Sequence, residues 1–381
     1  MNDPRLERLA ALLLDYSLAI EPGQMLRLEG YDAASPLLLA LYRAAIERGV
    51  NPYTGILLEE ADEVLLEEGS PEQIDFLWDI DWAEIDAVDA IVTVWARRNT
   101  RALTRIDAER HQRLIATRRK LSNRLWERID AGRARWVGTQ MPTSAHAQDA
   151  GMSLADYEQF VFAACHVLEG EDPVAFWQST SAALDTRARE LSGLRELRIV
   201  GPDTDLRLVV DGRNWRGADG KLNMPDGEVY TSPVEDGTSG DVRFTFPAIF
   251  SGRQVEDVRL RFEGGRVVAH EAARGADYLG AMLDMDDGSR TLGEAAFGLN
   301  YEIDRFTGDI LFDEKIGGTM HLALGSAFKD LGGRNESGLH WDMICDLRDD
   351  GEVYADGELV WKAGHFLREP RTVAPEPVAA S

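Results

Sequence analysis

The pattern of apolar residues changes character near Gly193, and this change constrains the fold more than any other feature. Before it, stretches with helical spacing alternate with short strand-like runs; after it, short runs of alternating apolar and polar residues dominate. A strand turns successive side chains to opposite faces, while a helix repeats every ~3.6 residues, so the two halves predict different architectures.

In the first half, Leu6, Leu9, Leu13 and Tyr16 predict an amphipathic helix at the start of the chain. Strands are predicted over 24–30, over 52–58 and within 85–96, with a fourth over 135–142. Helices are predicted over 36–50, after Asp107, and over 153–168 and 173–192. This alternation predicts a mostly parallel sheet covered by helices. Gly193 reads as a helix stop, with a strand beginning near Leu197. Val242, Phe244 and Phe246 fall on one face of "DVRFTFP", and "VRLRFEGGRVVAHEA" predicts a hairpin turning at Gly264 and Gly265. The expected fold class is an α/β N-terminal domain with a mostly parallel sheet (1–194), plus a mixed α+β, largely antiparallel C-terminal catalytic domain (195–368). Residues 369–381, rich in Pro and Ala, read as a disordered tail.

Composition removes several classes of partner. The formal net charge is −26, from 67 acidic and 41 basic residues. Such a chain repels phosphate backbones and anionic headgroups, so neither nucleic acid nor a membrane surface is expected. No run approaches the ~18–20 apolar residues of a membrane span. The first residues carry Asp3 and Glu7 rather than the basic, apolar start of a signal peptide. Cys165 and Cys345 are too few for a disulfide framework. The expected location is cytoplasmic. No GxGxxG or Walker-type loop is present, which argues against a dinucleotide-dependent oxidoreductase.

The chemistry gathers in the second half. Glu228 heads a short apolar alternation in "NMPDGEVYTSPVEDGTSG", and Glu294 is isolated among small and apolar residues in "LGEAAFGLN". His321 follows a glycine pair in "DEKIGGTMHLALG". In "LHWDMICD", His340 and Asp342 are two apart, so in a strand they share a face. An ionised carboxylate in apolar surroundings shifts its pKa or finds a cation. Were these five residues to converge, they would carry three negative charges and two neutral nitrogens. One divalent ion would leave that set negative. Two would leave one positive charge in excess, which a bridging hydroxide, the nucleophile of a two-metal hydrolase, would neutralise. Without a thiolate, the set suits Zn, Co or Mn equally. Spacing alone does not bring the five together. A glutamate in a Gly-rich turn is usually solvated, and a histidine beside "LALG" is usually core; no HEXXH or CxxC motif decides the matter.

Whole segments go further. "NMPDGEVYTSPVEDG", "LGEAAFGLN", "ILFDEKIGGTMHLALG" and "HWDMICDLR" closely resemble the thermophilic aminopeptidase T family, the M29 metallopeptidases. So do "LERLAALLLDYSLAIEPGQ" and "MPTSAHAQDAGMSLADYEQFVFAAC", and the resemblance stops only at the tail. It implies an enzyme that removes N-terminal amino acids from peptides with a free N-terminus, using two divalent metal ions, and that forms a homodimer around an interior cavity. The implied metal ligands are Glu228, Glu294, His321, His340 and Asp342. Glu294 is also a candidate to accept the water's proton if it is not wholly occupied as a ligand. Glu314 and Lys315 read either as groups supporting the ligands or polarising the carbonyl, or as a surface ion pair. Asp346 would orient His340 or be solvated at the strand end.

One position departs from the family. A tyrosine commonly stands seven residues after the "HLALG" histidine, and here that position is Phe328. A phenyl ring cannot donate a hydrogen bond to a developing oxyanion, and losing one such donor costs ~10²–10³ in rate. An attenuated peptidase, rescue by another donor such as Tyr301, and a changed reaction all follow as readings. Two rivals therefore stand beside the peptidase: a metal-dependent hydrolase of a non-peptide amide or other small molecule, and a non-catalytic metal-binding protein. Structural zinc sites are usually closed and four-coordinate, often with Cys, which this set fits poorly.

Overall fold

Ala90–Trp95, a run rich in Val and Ile, is buried along most of its length and becomes the middle strand of a five-stranded sheet. The computed structural model describes residues 3–368, so the expected tail over 369–381 lies outside the described residues. Strand order in this sheet is Asn51–Leu57, Met25–Tyr31, Ala90–Trp95, Arg135–Gln140 and Asn223–Met224. Every pairing is parallel, as the α/β alternation predicts. Helix Pro4–Leu12 starts where the Asp3 carboxylate accepts the Arg5 N–H at 2.9 Å, a standard N-terminal cap. Leu9 and Leu12 of that helix and Leu41 of helix Ser35–Glu47 are buried in one core with Leu28, Val92 and Val137 of the sheet.

Three consecutive helices are among those that escaped the sequence reading: Glu59–Glu68, Pro71–Ile74 and Asp79–Ala87. Between them they bury only Glu59, Leu66, Ile74 and Ile85, too few apolar residues to set up a visible period. Their acidic first turns, with Glu59, Glu60 and Asp62 in the first helix, suit the positive end of a helix dipole instead.

The chain divides into two compact units, residues 1–178 with 220–225, and 179–219 with 226–381. This differs from a single break at 194/195 in two ways. Helix Pro173–Leu191 is split: Trp177 is buried in the first core, while Leu184, Ala188 and Leu191 are buried in the second. The short strand Asn223–Met224 also returns to the parallel sheet, a pairing too brief to leave a pattern in the sequence.

The second unit holds two large antiparallel sheets. One has eight strands, running from Arg266–Glu271 through Val258–Glu263, Ser239–Phe244, Thr204–Val209 and Glu196–Gly201 to the three C-terminal strands Glu352–Ala355, Glu358–Lys362 and His365–Phe366. The hairpin at Gly264 and Gly265 forms with Glu263 opposite Arg266, and both glycines have positive φ. The strand containing Val242 ends at Phe244, so Phe246 does not extend its buried face; its ring stacks on Phe306 at 5.5 Å instead.

The other sheet carries the chemistry. Its order is His340–Asp346, Thr319–Gly325, Leu292–Gly298, Glu228–Thr231 and Arg216–Ala218. One face, including Val229, Phe297, Leu322 and Trp341, is buried in the core together with Leu206 and Phe244 of the eight-stranded sheet. The Phe297 ring packs against Trp215, Trp361 and Phe366 with centroids 4.9–5.9 Å apart. Phe297→Ala is expected to cost about 3–5 kcal/mol, read as a shift in the denaturant midpoint. A cost below about 1 kcal/mol would show that this face is not the tightly packed core described.

Candidate metal centre

On the opposite face of the same sheet, the alternation that buries Val229, Ala295, Leu322 and Trp341 turns Glu228, Glu294, His321, His340 and Asp342 together. Register aligns them across four strands. Tyr230 pairs with Ala296 and Ala296 with His321, while Glu294 pairs with Ala323 and Ala323 with Asp342. The two alanines put methyl groups where larger side chains would fill the space between the polar ones. A register shift between Leu292 and Glu294 sets the glutamate's place, and Gly293 makes that shift possible. A Cβ on Gly293 would lie 2.0 Å from the Ser326 carbonyl oxygen and 2.4 Å from that of Gly325.

The polar atoms converge closely. His321 Nε2 lies 3.4 Å from Glu294 Oε1, 3.7 Å from Glu228 Oε2 and 3.9 Å from Asp342 Oδ1. His340 Nε2 lies 3.3 Å from the other Glu294 oxygen, Oε2, and 3.6 Å from Asp342 Oδ1. Each imidazole turns its Nδ1 to a backbone carbonyl, that of Glu314 at 2.9 Å and that of Ser326 at 3.1 Å. A carbonyl only accepts, so Nδ1 carries a proton, and Nε2 is the atom turned to the carboxylates, where it would offer its lone pair to a cation once its own proton is lost. Metal-binding histidines are commonly held this way.

The electrostatics show what the cluster lacks. Burial works against a charged His321, yet the carboxylates of Glu294, Glu228 and Asp342 outweigh it and lift the imidazole to about 10. His340, though part-exposed, is likewise lifted to about 10, with Asp342 and Glu294 outweighing the partial loss of solvent around its ring. Burial would raise Glu294, but hydrogen bonds to both histidines hold it down at about 2. Asp342, buried beside other carboxylates, rises to about 6, and burial pushes Glu228 well above the usual range. With no cation between them, protons would take up the positive charge that these carboxylates demand. Glu228 Oε2 and Asp342 Oδ1 are buried without any hydrogen-bond partner. Buried orphan oxygens of this kind are costly. The residues present therefore fit divalent ions.

Neighbouring groups complete the charge count. Lys315 is fully buried, which excludes the surface ion pair. Its ammonium contacts Glu314 and lies 3.8 Å from both Asp226 and Glu228. Counting the five expected ligands alone leaves two divalent ions with one positive charge in excess. Adding Asp226, Glu314 and Lys315 removes that excess, because five carboxylates and one ammonium leave four negative charges. Asp226 was missed because "PDG" reads as a turn, and only its near-complete burial betrays it. Glu314 also reaches the cluster, forming a possible ligand group with His321 and Asp342. Asp346 does not orient His340: its carboxylate is bound by Arg348 at 2.7 and 2.8 Å. Tyr301 stands apart as well, its hydroxyl donating to the Gly364 carbonyl at 2.9 Å. Phe328 is at the site, its ring 5.9 Å from that of His340.

A clasp steadies the segment entering the His340 strand. The Asp286 carboxylate accepts from Ser337 Oγ and Gly338 N at 2.7 Å each, and from Ser289 Oγ and Gly288 N at 2.9 Å each. Burial alone would raise its pKa, but these donors bring it from 3.8 down to about 2. A carboxyl depressed in the folded state contributes stability above its unfolded pKa and loses it as pH falls through the folded one. Asp286→Asn is therefore expected to be less stable than the parent chain above about pH 4, with the difference closing toward about pH 2. Denaturant midpoints at several pH values check this, and a difference independent of pH would refute it.

The chain has relatives among known proteins. Residues 2–366 match the family described as thermophilic metalloprotease (M29). The chain is 28% identical over 415 residues to Aminopeptidase 2 of Geobacillus stearothermophilus, covering 96% of this chain and 98% of that protein. It is 35% identical over 228 residues to Aminopeptidase T of Thermus aquaticus, covering 53% and 54% of the two. The fold superimposes on that of wild-type AmpT from Thermus thermophilus with a TM-score of 0.84, at 24% identity, over 96% of this chain and 99% of that one. With a family match that spans nearly every residue, this chain belongs to the thermophilic metalloprotease (M29) family.

Proposed function

We propose that the chain is an aminopeptidase that holds two divalent ions, drawn from Zn, Co or Mn, and removes the first residue of peptides with a free N-terminus. The observation that carries this reading is the position of Glu294. One of its oxygens faces His321 beside Glu228, and the other faces His340 beside Asp342. Two ligand groups therefore share one carboxylate, and between them these residues would hold a pair of ions. The names of the relatives, Aminopeptidase 2 and Aminopeptidase T, support the peptide half of the reading.

Bound at this position, divalent ions supply an acidified water and polarise a scissile carbonyl. The chain's own residues do the rest. Both Glu294 oxygens are committed to histidine-bearing ligand groups, so Glu294 acts as a shared holder rather than as the base. Glu314 is less buried and lies close to His321 and Asp342, which leaves it to accept the water's proton. Lys315 offsets part of the carboxylate charge from behind. The His340 side chain is 38% exposed while those of the other four ligands are 10% or less, so substrate enters from its side.

The test uses leucine p-nitroanilide and its N-acetyl derivative, each with added Zn, Co or Mn and again with a chelator. Release from the free amine alone, lost on chelation, is the expected result. Equal release from both would refute an aminopeptidase and favour hydrolysis of unrelated amides. The same reading carries a homodimer, so sedimentation is expected to give twice the mass of the chain. Among the described residues no helix is long and apolar enough to cross a membrane.

A further inference from the structure

Phe328 leaves the site without the phenol that the family resemblance implies at this position, and the structure packs another phenol, that of Tyr230, against the Phe328 ring. Tyr230 stands two residues after Glu228 on strand Glu228–Thr231, so both side chains leave the same face of the sheet. In register it sits between Arg216 and Ala296, and Ala296 in turn faces His321. Its ring packs edge-on against Phe328, with centroids 5.0 Å apart at 60°. Phe328 is pinned there because its N–H donates to Ser232 Oγ at 2.9 Å, from the residue two beyond Tyr230. Ala296 and Leu331 complete the packing, so the Tyr230 ring is buried and fixed.

Arg216 is the cross-strand neighbour of Tyr230, with its guanidinium paired to Asp330 at 2.5 Å. A guanidinium only donates and so cannot take up the phenol's hydrogen, which is left for an acceptor elsewhere. Resting on the aminopeptidase reading, we propose that Tyr230 is a catalytic residue whose hydroxyl donates to the substrate oxygen that gains charge, taking the part Phe328 cannot play. Tyr301, spent on the Gly364 carbonyl, does not compete for this role.

The test compares the full-length parent chain with Tyr230→Phe, Phe328→Tyr and the double variant, all reconstituted with the same metal. Each is measured for metal content, for kcat and KM on leucine p-nitroanilide, and for calorimetric affinity toward the aminophosphonic acid analogue of leucine, a stable tetrahedral mimic. Tyr230→Phe keeps the ring and its packing, so metal content is expected to stay the same. Its kcat is expected to fall ~10²–10³-fold with little change in KM, and its affinity for the phosphonate to fall in step. Adding Phe328→Tyr is expected to restore much of both. If the parent chain releases p-nitroaniline and Tyr230→Phe changes kcat and phosphonate affinity by less than about threefold, this role is overturned while the aminopeptidase reading stands. If the parent chain binds metal yet releases nothing, the aminopeptidase reading falls, and this inference with it.

Discussion

Glu294→Gln is expected to lower release of p-nitroaniline from leucine p-nitroanilide by on the order of 10³ or more. Removing one preorganised electrostatic contact costs ~10²–10³ in rate, and Glu294 is shared by two ligand groups. The amide keeps the shape of the side chain but replaces one oxygen with a donor. That NH₂ would face either His321 Nε2 or His340 Nε2, at 3.4 or 3.3 Å, and no longer offer a lone pair to a cation. The fold should survive, because Glu294 lies on the polar face of the sheet and the core face next to it is unchanged. Assays with saturating metal separate weaker metal binding from lost chemistry. Activity within tenfold of the parent chain would show that Glu294 is not shared between two ions.

Gly293→Ala is expected to injure both stability and activity through the backbone alone. The added methyl would fall 2.0 Å from the Ser326 carbonyl oxygen and 2.4 Å from that of Gly325, neither of which is a flexible side-chain end. The strands must part where the register shift sets Glu294 opposite Ala323. Overpacking of this kind typically costs 1–3 kcal/mol, and a rigid obstacle puts this case near the top of that range, about 3 kcal/mol. Moving Glu294 by about 1 Å is enough to cost ~10²-fold in rate. Thermal unfolding and kcat measured on one preparation check both halves. A variant with native stability and native kcat would mean that the register shift does not set the site.

These two residues also mark what could be read from the sequence. Glu294 was legible because an isolated carboxylate among Ala, Phe and Gly has no cheap way to be buried. Gly293 beside it was not, because its role is a close approach to a strand distant in sequence. His340 and Asp342 were legible from the strand period alone, which puts both on one face. Asp226 and Lys315 were harder, since a turn motif and a lysine beside a glutamate usually sit in solvent. Only the fold shows that Lys315 is fully buried among carboxylates. The sequence suggested Tyr301 as a substitute donor, yet the tyrosine whose ring meets Phe328 is Tyr230. The large elements followed periodicity closely, with Ser35–Glu47 and Ala90–Trp95 falling where the apolar pattern put them. The acidic helices from Glu59 to Ala87 did not, because so little of them is buried.

Metal content tests the central claim most directly. The parent chain and Glu294→Gln would each be stripped with a chelator, reconstituted separately with Zn, Co or Mn, freed of excess ion and measured by elemental analysis. About two ions per parent chain with at least one of the supporting metals, and the loss of one or both in Glu294→Gln, is the predicted result. A parent chain that retains one ion or none with every metal, or a variant that retains as many ions as the parent, would contradict a pair of ions sharing Glu294.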